Sequence, residues 1–152
     1  MLPLYIKHRL PANVILHREP KQLGLIGARL AGARVASGEA IIILDSHCEA
    51  TEGWVEPLLQ RIKDKPNNIV IPQIDGISDR TLEFNGHPGG IGISVGGFTW
   101  SGHFNWIPFK HTGSRKASDV APTATMAGGL FGMNREFFFR VGAYDEGMTV
   151  IV

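Results

Sequence analysis

Three kinds of hydrophobic run organise this chain. The plainest is Ala40 to Leu44, which holds large aliphatics with no polar alternation. A β-branched run of that length predicts a strand covered on both faces, as in a parallel sheet. The second kind has helical spacing. Leu25 to Ala36 is rich in Ala, Leu and Arg and predicts a helix, with Gly38 where a C-terminal glycine often sits. Val55, Leu58, Leu59 and Ile62 form one stripe of a helix ending near Asp64. Thr51 is its expected cap, and Glu52 its first-turn acid. Leu4 to Leu10 reads as the end of a helix stopped by Pro11.

The third kind is short and apolar. Asn13 to His17, Ile69 to Ile71 and Thr81 to Phe84 predict short strands, and Met126 to Met133 a strand interrupted by glycine. Asn134 is placed to cap a last helix containing Phe137, Phe138 and Phe139. Turns fall at Pro66-Asn67-Asn68 and between Pro20 and Gly24. Gly86 to Pro108 holds many glycines and two tryptophans with little periodicity, which predicts a loop or ribbon. Lys110 to Asp119 reads as a charged linker. Strands alternating with helices indicate α/β architecture, with no internal repeat.

Composition narrows the function classes. The 152 residues suffice for one domain with a core, and 43% apolar with 19% charged residues argues for a globular chain. A net charge of +1 gives no dense basic face for nucleic acid. The aliphatic runs fall far short of the ~20 residues a membrane span needs, and no signal-peptide core is present. One cysteine, Cys48, excludes an internal disulfide and reads as a small buried apolar residue.

Candidate chemistry begins where the aliphatic strand ends. Ile41-Ile42-Ile43-Leu44 runs directly into Asp45-Ser46-His47. In open α/β sheets, ligands bind at the carboxyl ends of strands. Side chains two apart on an extended segment point the same way, so Asp45 and His47 can share one cation while Ser46 faces away. A carboxylate oxygen and an imidazole nitrogen suit a borderline divalent ion such as manganese, with room left for phosphate oxygens. The competing reading is that Asp45 and His47 cap the next helix or solvate a loop.

Around this motif the sequence resembles the polypeptide N-acetylgalactosaminyltransferases. The resemblance rests on Gly24-Leu25-Ile26, Ala28-Arg29-Leu30, Gly32-Ala33, Leu44-Asp45-Ser46-His47-Cys48-Glu49, and Gly53-Trp54 followed by Glu56-Pro57-Leu58-Leu59. It continues through Ile74-Asp75, Gly96-Gly97-Phe98, Phe104-Asn105-Trp106, Ala127-Gly128-Gly129-Leu130-Phe131 and Tyr144-Asp145. These lie in the family's order and at near-family spacing.

The resemblance implies an α/β fold of Rossmann-like, glycosyltransferase A type that binds nucleotide sugars. It implies transfer of N-acetylgalactosamine from UDP-N-acetylgalactosamine to Ser or Thr hydroxyls of polypeptides, with retention at the anomeric carbon. By this match Asp45 and His47 are metal ligands holding manganese, and Ser46 lies beside the donor. Arg29, Gly128 and Gly129 lie near the sugar, and Phe104 and Trp106 line the acceptor-peptide groove. No catalytic carboxylate is singled out among Asp75, Asp79 and Glu83. Taken alone, Arg29 suits a solvated helix, Gly128-Gly129 a strand bulge, and Phe104 with Trp106 a core face. Trp54 and Phe137 to Phe139 read as core.

Residues 1–152 are expected to be part of one catalytic domain, truncated at both ends. By the resemblance, segments of the family are expected to fall outside these residues: a membrane anchor, a first strand and helix, a downstream Trp-Gly-Gly-Glu-Asn stretch with a further metal-binding histidine, and a lectin domain. Gln22 and Gly27 stand where the family has arginines, which should weaken diphosphate binding. The chain is therefore expected to be inactive by itself, or to retain only acceptor-peptide binding. The resemblance places the full-length protein in the Golgi lumen, anchored as a type II membrane protein.

Overall fold

Aliphatic strands, short helices and a glycine-rich ribbon are assembled here around one small sheet. The computed structural model describes residues 2–11, 13–86, 94–109 and 119–148. The elements are α1 (Leu2–Arg9), α2 (Gly24–Val35), β1 (Ala40–Ile43), α3 (Glu56–Asp64), β2 (Ile69–Val70), β3 (Gly76–Ile77), β4 (Phe84–Asn85), β5 (Ser94–Phe98), β6 (Phe104–Pro108), β7 (Phe131–Asn134) and α4 (Arg135–Arg140).

The central sheet has the order β1-β7-β2. β7 is antiparallel to both neighbours, so β1 and β2 run the same way on either side of it. This corrects the expected parallel pairing at β1. What the aliphatic run reports is coverage of both faces, and that coverage is present. Ile41 and Ile43 face a cluster with Leu30 and Ala33 of α2, Phe131 and Met133 of β7, and Phe138 of α4. Ala40 and Ile42 face the other cluster, with Leu58 and Ile62 of α3, Val70 and Trp54. A strand between two apolar layers needs aliphatics at every position, whichever way its neighbour runs.

Gly132 lies between Ile42 and Val70 in the register. A Cβ there would come within 3.1 Å of Ile42 Cγ1 and 3.4 Å of Ile62 Cδ1. Its absence lets α3 settle directly on the middle of the sheet. At the end of β7, the Asn134 side chain accepts from the Phe137 amide at 2.8 Å, the cap expected for α4. Such caps contribute about 1 kcal/mol.

Other expectations fail for local reasons. Asn13 to His17 forms no strand and leaves Val14, Ile15 and Leu16 exposed; among the described residues nothing pairs with it. β-Branched residues favour a strand only where a neighbour supplies the ladder. Thr51 does not cap α3. The helix starts later, at Glu56, with Pro57 in its first turn, where proline's fixed φ suits a helix start. Leu58 and Ile62 are buried, but Leu59 is 41% exposed, because the stripe facing the sheet is narrower than the apolar run. Gly38 lies in the bend after α2, whose cap is Ala36. Cys48 is exposed, in the segment that leaves the sheet after β1. The ribbon expectation is met by β5 and β6, an antiparallel pair. The linker expected at 110–119 lies almost wholly outside the described residues. No helix among the described residues is long and apolar enough to cross a membrane.

Candidate functional site

The register of the sheet decides which residues meet. Ile43 of β1 pairs with Phe131 of β7. Two residues beyond β1 is Asp45, and two residues before β7 is Gly129, so the two emerge at the same edge. Arg29 reaches that edge from α2, whose Leu30 and Ala33 are buried against the sheet.

Arg29 Nη2 donates to Asp45 Oδ1 at 2.7 Å, and Arg29 Nη1 donates to the Gly128 carbonyl oxygen at 2.8 Å. The Arg29 side chain is largely buried, at 13% exposure, and the Asp45 side chain is 29% exposed. Gly129 completes the arrangement by having no side chain: a Cβ would overlap Asp45 Oδ2 and lie 3.0 Å from Asp45 Cγ. Arg29, Asp45, Gly128 and Gly129 thus form one cluster, although the sequence spreads them over a hundred positions. Arg29 is not the solvated helix residue that its local sequence allows. It neutralises the carboxylate at the sheet edge and ties it to the loop before β7.

Ser46 and His47 follow in a turn and are exposed. Among the described residues no group of three or more His, Cys, Asp or Glu is placed to hold a metal. Asp45 and His47 alone offer an oxygen and a nitrogen donor. By type that donor set suits a divalent ion, but the extended segment expected to aim both side chains one way is a turn at Ser46 and His47.

Phe104 and Trp106 lie on β6 and are half-exposed, so they do not face a core. Their ring centroids are 5.1 Å apart, edge to face, and Phe98 adds a third ring 6.4 Å from Phe104. The register puts Phe98 opposite Phe104 and Gly96 opposite Trp106, so one face of the ribbon is aromatic. The Gly96 amide donates to Thr123 Oγ1 at 2.9 Å, tying the ribbon to the segment that leads into Gly128.

Tyr144 is a residue that the sequence reading left without a role. Past α4 the chain turns through Gly142 and Ala143, both at positive φ. This returns the Tyr144 ring to the core cluster, edge-on to Phe131 and Phe138 at centroid distances of 6.5 and 5.6 Å. Burial pushes the Tyr144 hydroxyl above its usual phenol range, and the nearby Arg29 charge pulls it part of the way back. A raised folded-state value favours the neutral phenol, so its stabilising contribution is full below about pH 10 and is lost as pH rises further. Stability curves of the chain and of Tyr144→Phe should therefore run together at neutral pH. Above about pH 10 the parent should fall faster, read by urea unfolding at each pH.

A cavity of about 620 Å³ lies elsewhere, between Ile15, Leu16 and His17 and the α2 residues Ala28, Gly32 and Val35. It holds none of the candidate residues.

The sequence profile of glycosyl transferase family 2 matches residues 5–142. The chain belongs to that family. Several curated relatives are polypeptide N-acetylgalactosaminyltransferases. Number 5 of Caenorhabditis elegans is 48% identical over 141 residues, covering 91% of this chain and 22% of the relative. Number 12 of Mus musculus is 45% identical over 141 residues, covering 91% and 24%. Number 13 of Homo sapiens is 43% identical over 151 residues, covering 96% and 26%. The chain thus spans about a quarter of the length of the relatives it matches. Its helices and small sheets are consistent with a partial A-type glycosyltransferase fold within family 2.

Proposed function

We propose that this chain is part of the catalytic domain of a retaining polypeptide N-acetylgalactosaminyltransferase, which moves N-acetylgalactosamine from UDP-N-acetylgalactosamine to Ser or Thr hydroxyls of polypeptides. The observation that carries this reading is the cluster at the sheet edge, where Arg29 links Asp45 to the Gly128 carbonyl and Gly129 stands against the carboxylate. Held this way, Asp45 keeps one oxygen on Arg29 and is fixed in orientation. Arg29 brings a permanent positive charge with a rigid fork of donors to a site meant for a diphosphate and a sugar. The bare backbone at Gly128 and Gly129 lets a sugar approach closely. Ser46, exposed beside Asp45, has a hydroxyl free to contact the donor. Asp45 and His47 would hold a divalent ion, manganese in this proposal, which when bound offsets charge on the departing diphosphate. The cellular setting that goes with this reading is the Golgi lumen.

With two protein donors for the cation, we expect no turnover from the chain by itself, so donor binding is the test. Titration of the chain with UDP-N-acetylgalactosamine and manganese should show binding that Asp45→Ala or His47→Ala weakens at least about tenfold. Donor binding unchanged in both variants would sink the proposal.

The aromatic face of the ribbon supports a second reading, in which the chain binds acceptor peptide without donor. Phe104→Ala and Trp106→Ala should each weaken binding of a Ser/Thr-containing peptide by about fivefold or more, since exposed rings contribute at a ligand contact. The thermal midpoint should barely move, because neither ring is in the core. Peptide binding indifferent to both substitutions would remove the ribbon from the site.

A further inference from the structure

The aromatic ribbon and the sheet-edge cluster belong to separate sheets, so a link between them must set their distance. Thr123 supplies one. Its hydroxyl works in both directions: Oγ1 accepts from the Gly96 amide at 2.9 Å and donates to the Thr125 carbonyl oxygen at 2.6 Å. Thr125 itself bridges to Gly96 in the antiparallel sense. A Cβ at Gly96 would overlap the Thr125 carbonyl, so bare backbone is what lets the two segments meet. Beyond Thr125, Met126 packs on the core cluster and Gly128 gives its carbonyl to Arg29. On the ribbon side, Gly96 lies directly opposite Trp106, and a Cβ there would be 3.1 Å from Phe104 Cε2. Thr123 therefore grips the ribbon at the residue beside both rings. Thr123 is exposed and outside both core clusters, so its contribution is the hydroxyl and not the filling of a core.

We propose that Thr123 is a positioning residue: its hydroxyl clasps the ribbon to the segment before Gly128, fixing the Phe104 and Trp106 rings relative to Arg29 and Asp45. It thereby sets where an acceptor peptide lies with respect to the donor. Without the hydroxyl, the Gly96 amide loses its acceptor. The β5–β6 ladder still holds the two rings to one another, but it does not tie them to the sheet edge. The consequence for peptide binding rests on the acceptor reading of the ribbon above; the clasp itself does not.

Amide hydrogen exchange and peptide titration on the complete 152-residue chain test it. Thr123→Val keeps the branched shape and removes the hydroxyl, whereas Thr123→Ser keeps the hydroxyl and removes the methyl. In Thr123→Val the Gly96 amide should exchange about tenfold faster than in the parent, while amides paired across β1 and β7 keep their parent rates. A Ser/Thr-containing peptide should bind that variant about fivefold more weakly, the loss expected from one hydrogen bond. Thr123→Ser should return both readings to within about twofold of the parent, a rescue foreign to a residue that only packs. Thr123→Ala supplies the same comparison where Thr123→Val does not fold. Gly96 exchange unchanged by Thr123→Val would overturn the proposal. So would peptide affinity equal to the parent's in Thr123→Val, or lowered equally in Thr123→Ser. A parent that binds no peptide counts against the acceptor reading alone and leaves the Gly96 exchange to decide on the clasp.

Discussion

Gly129→Ala should destabilise the chain by about 1–3 kcal/mol, whereas the adjacent Gly128→Ala should stay within about 0.5 kcal/mol. The contrast is geometric. A Cβ at Gly128 meets nothing within 4 Å, while one at Gly129 overlaps the Asp45 carboxylate and sits 3.0 Å from its Cγ. Asp45 is a short side chain pinned by Arg29 at 2.7 Å, so it cannot swing aside without breaking the ion pair. Arg29, largely buried, would then lose its charged partner. Urea unfolding of the two variants reads the stability difference. Calorimetry with manganese should show the cation bound at least about tenfold more weakly by Gly129→Ala. Equal stability of the two variants would mean that the packing at the sheet edge is looser than described.

Phe138→Ala should cost about 3–5 kcal/mol, a large share of the 5–15 kcal/mol by which domains are usually stable. The ring is 3% exposed and belongs to the cluster that joins α2, β1, β7 and α4. It also holds Phe139 and Tyr144 edge-on at 5.2 and 5.6 Å. Its loss should lower the urea midpoint by roughly 1–3 M, or abolish the cooperative transition. Phe98→Ala, by contrast, removes a ring 64% exposed on the ribbon and should leave the midpoint almost unmoved. A Phe138→Ala chain as stable as its parent would show that the core does not depend on α4.

The elements legible in the sequence are those with a purely local cause. α2 follows from its run of helix formers, β1 from unbroken aliphatics, and α4 from Asn134 and the phenylalanines after it. Features set by distant partners were less legible. The residues at 14–16 are as β-prone as those at 41–43 but have no ladder among the described residues. The direction of β7 is invisible in β1, because apolar coverage is the same for either direction. At the site, the motif singled out Asp45, and the family resemblance pointed to Arg29, Gly128 and Gly129. Their contact depends on the β1–β7 register and the reach of α2, which no local pattern encodes. Tyr144 had a faint signal, an aromatic just after Gly142-Ala143, where a tight turn can fold a side chain back onto a helix. Cys48 was misjudged because cysteine's usual burial says nothing about a segment that has just left the sheet.

The place of β7 also bears on how the polypeptide matures at the ribosome. Its two neighbours are synthesised first, yet among the described residues neither has a hydrogen-bonded partner in this sheet until Phe131 to Asn134 emerges. During that interval Ile41 to Ile43 present an apolar, unpaired ladder, the kind of surface that holdase chaperones bind and that seeds aggregation. The segment that closes the sheet is thus also the one that ends the nascent chain's most exposed period.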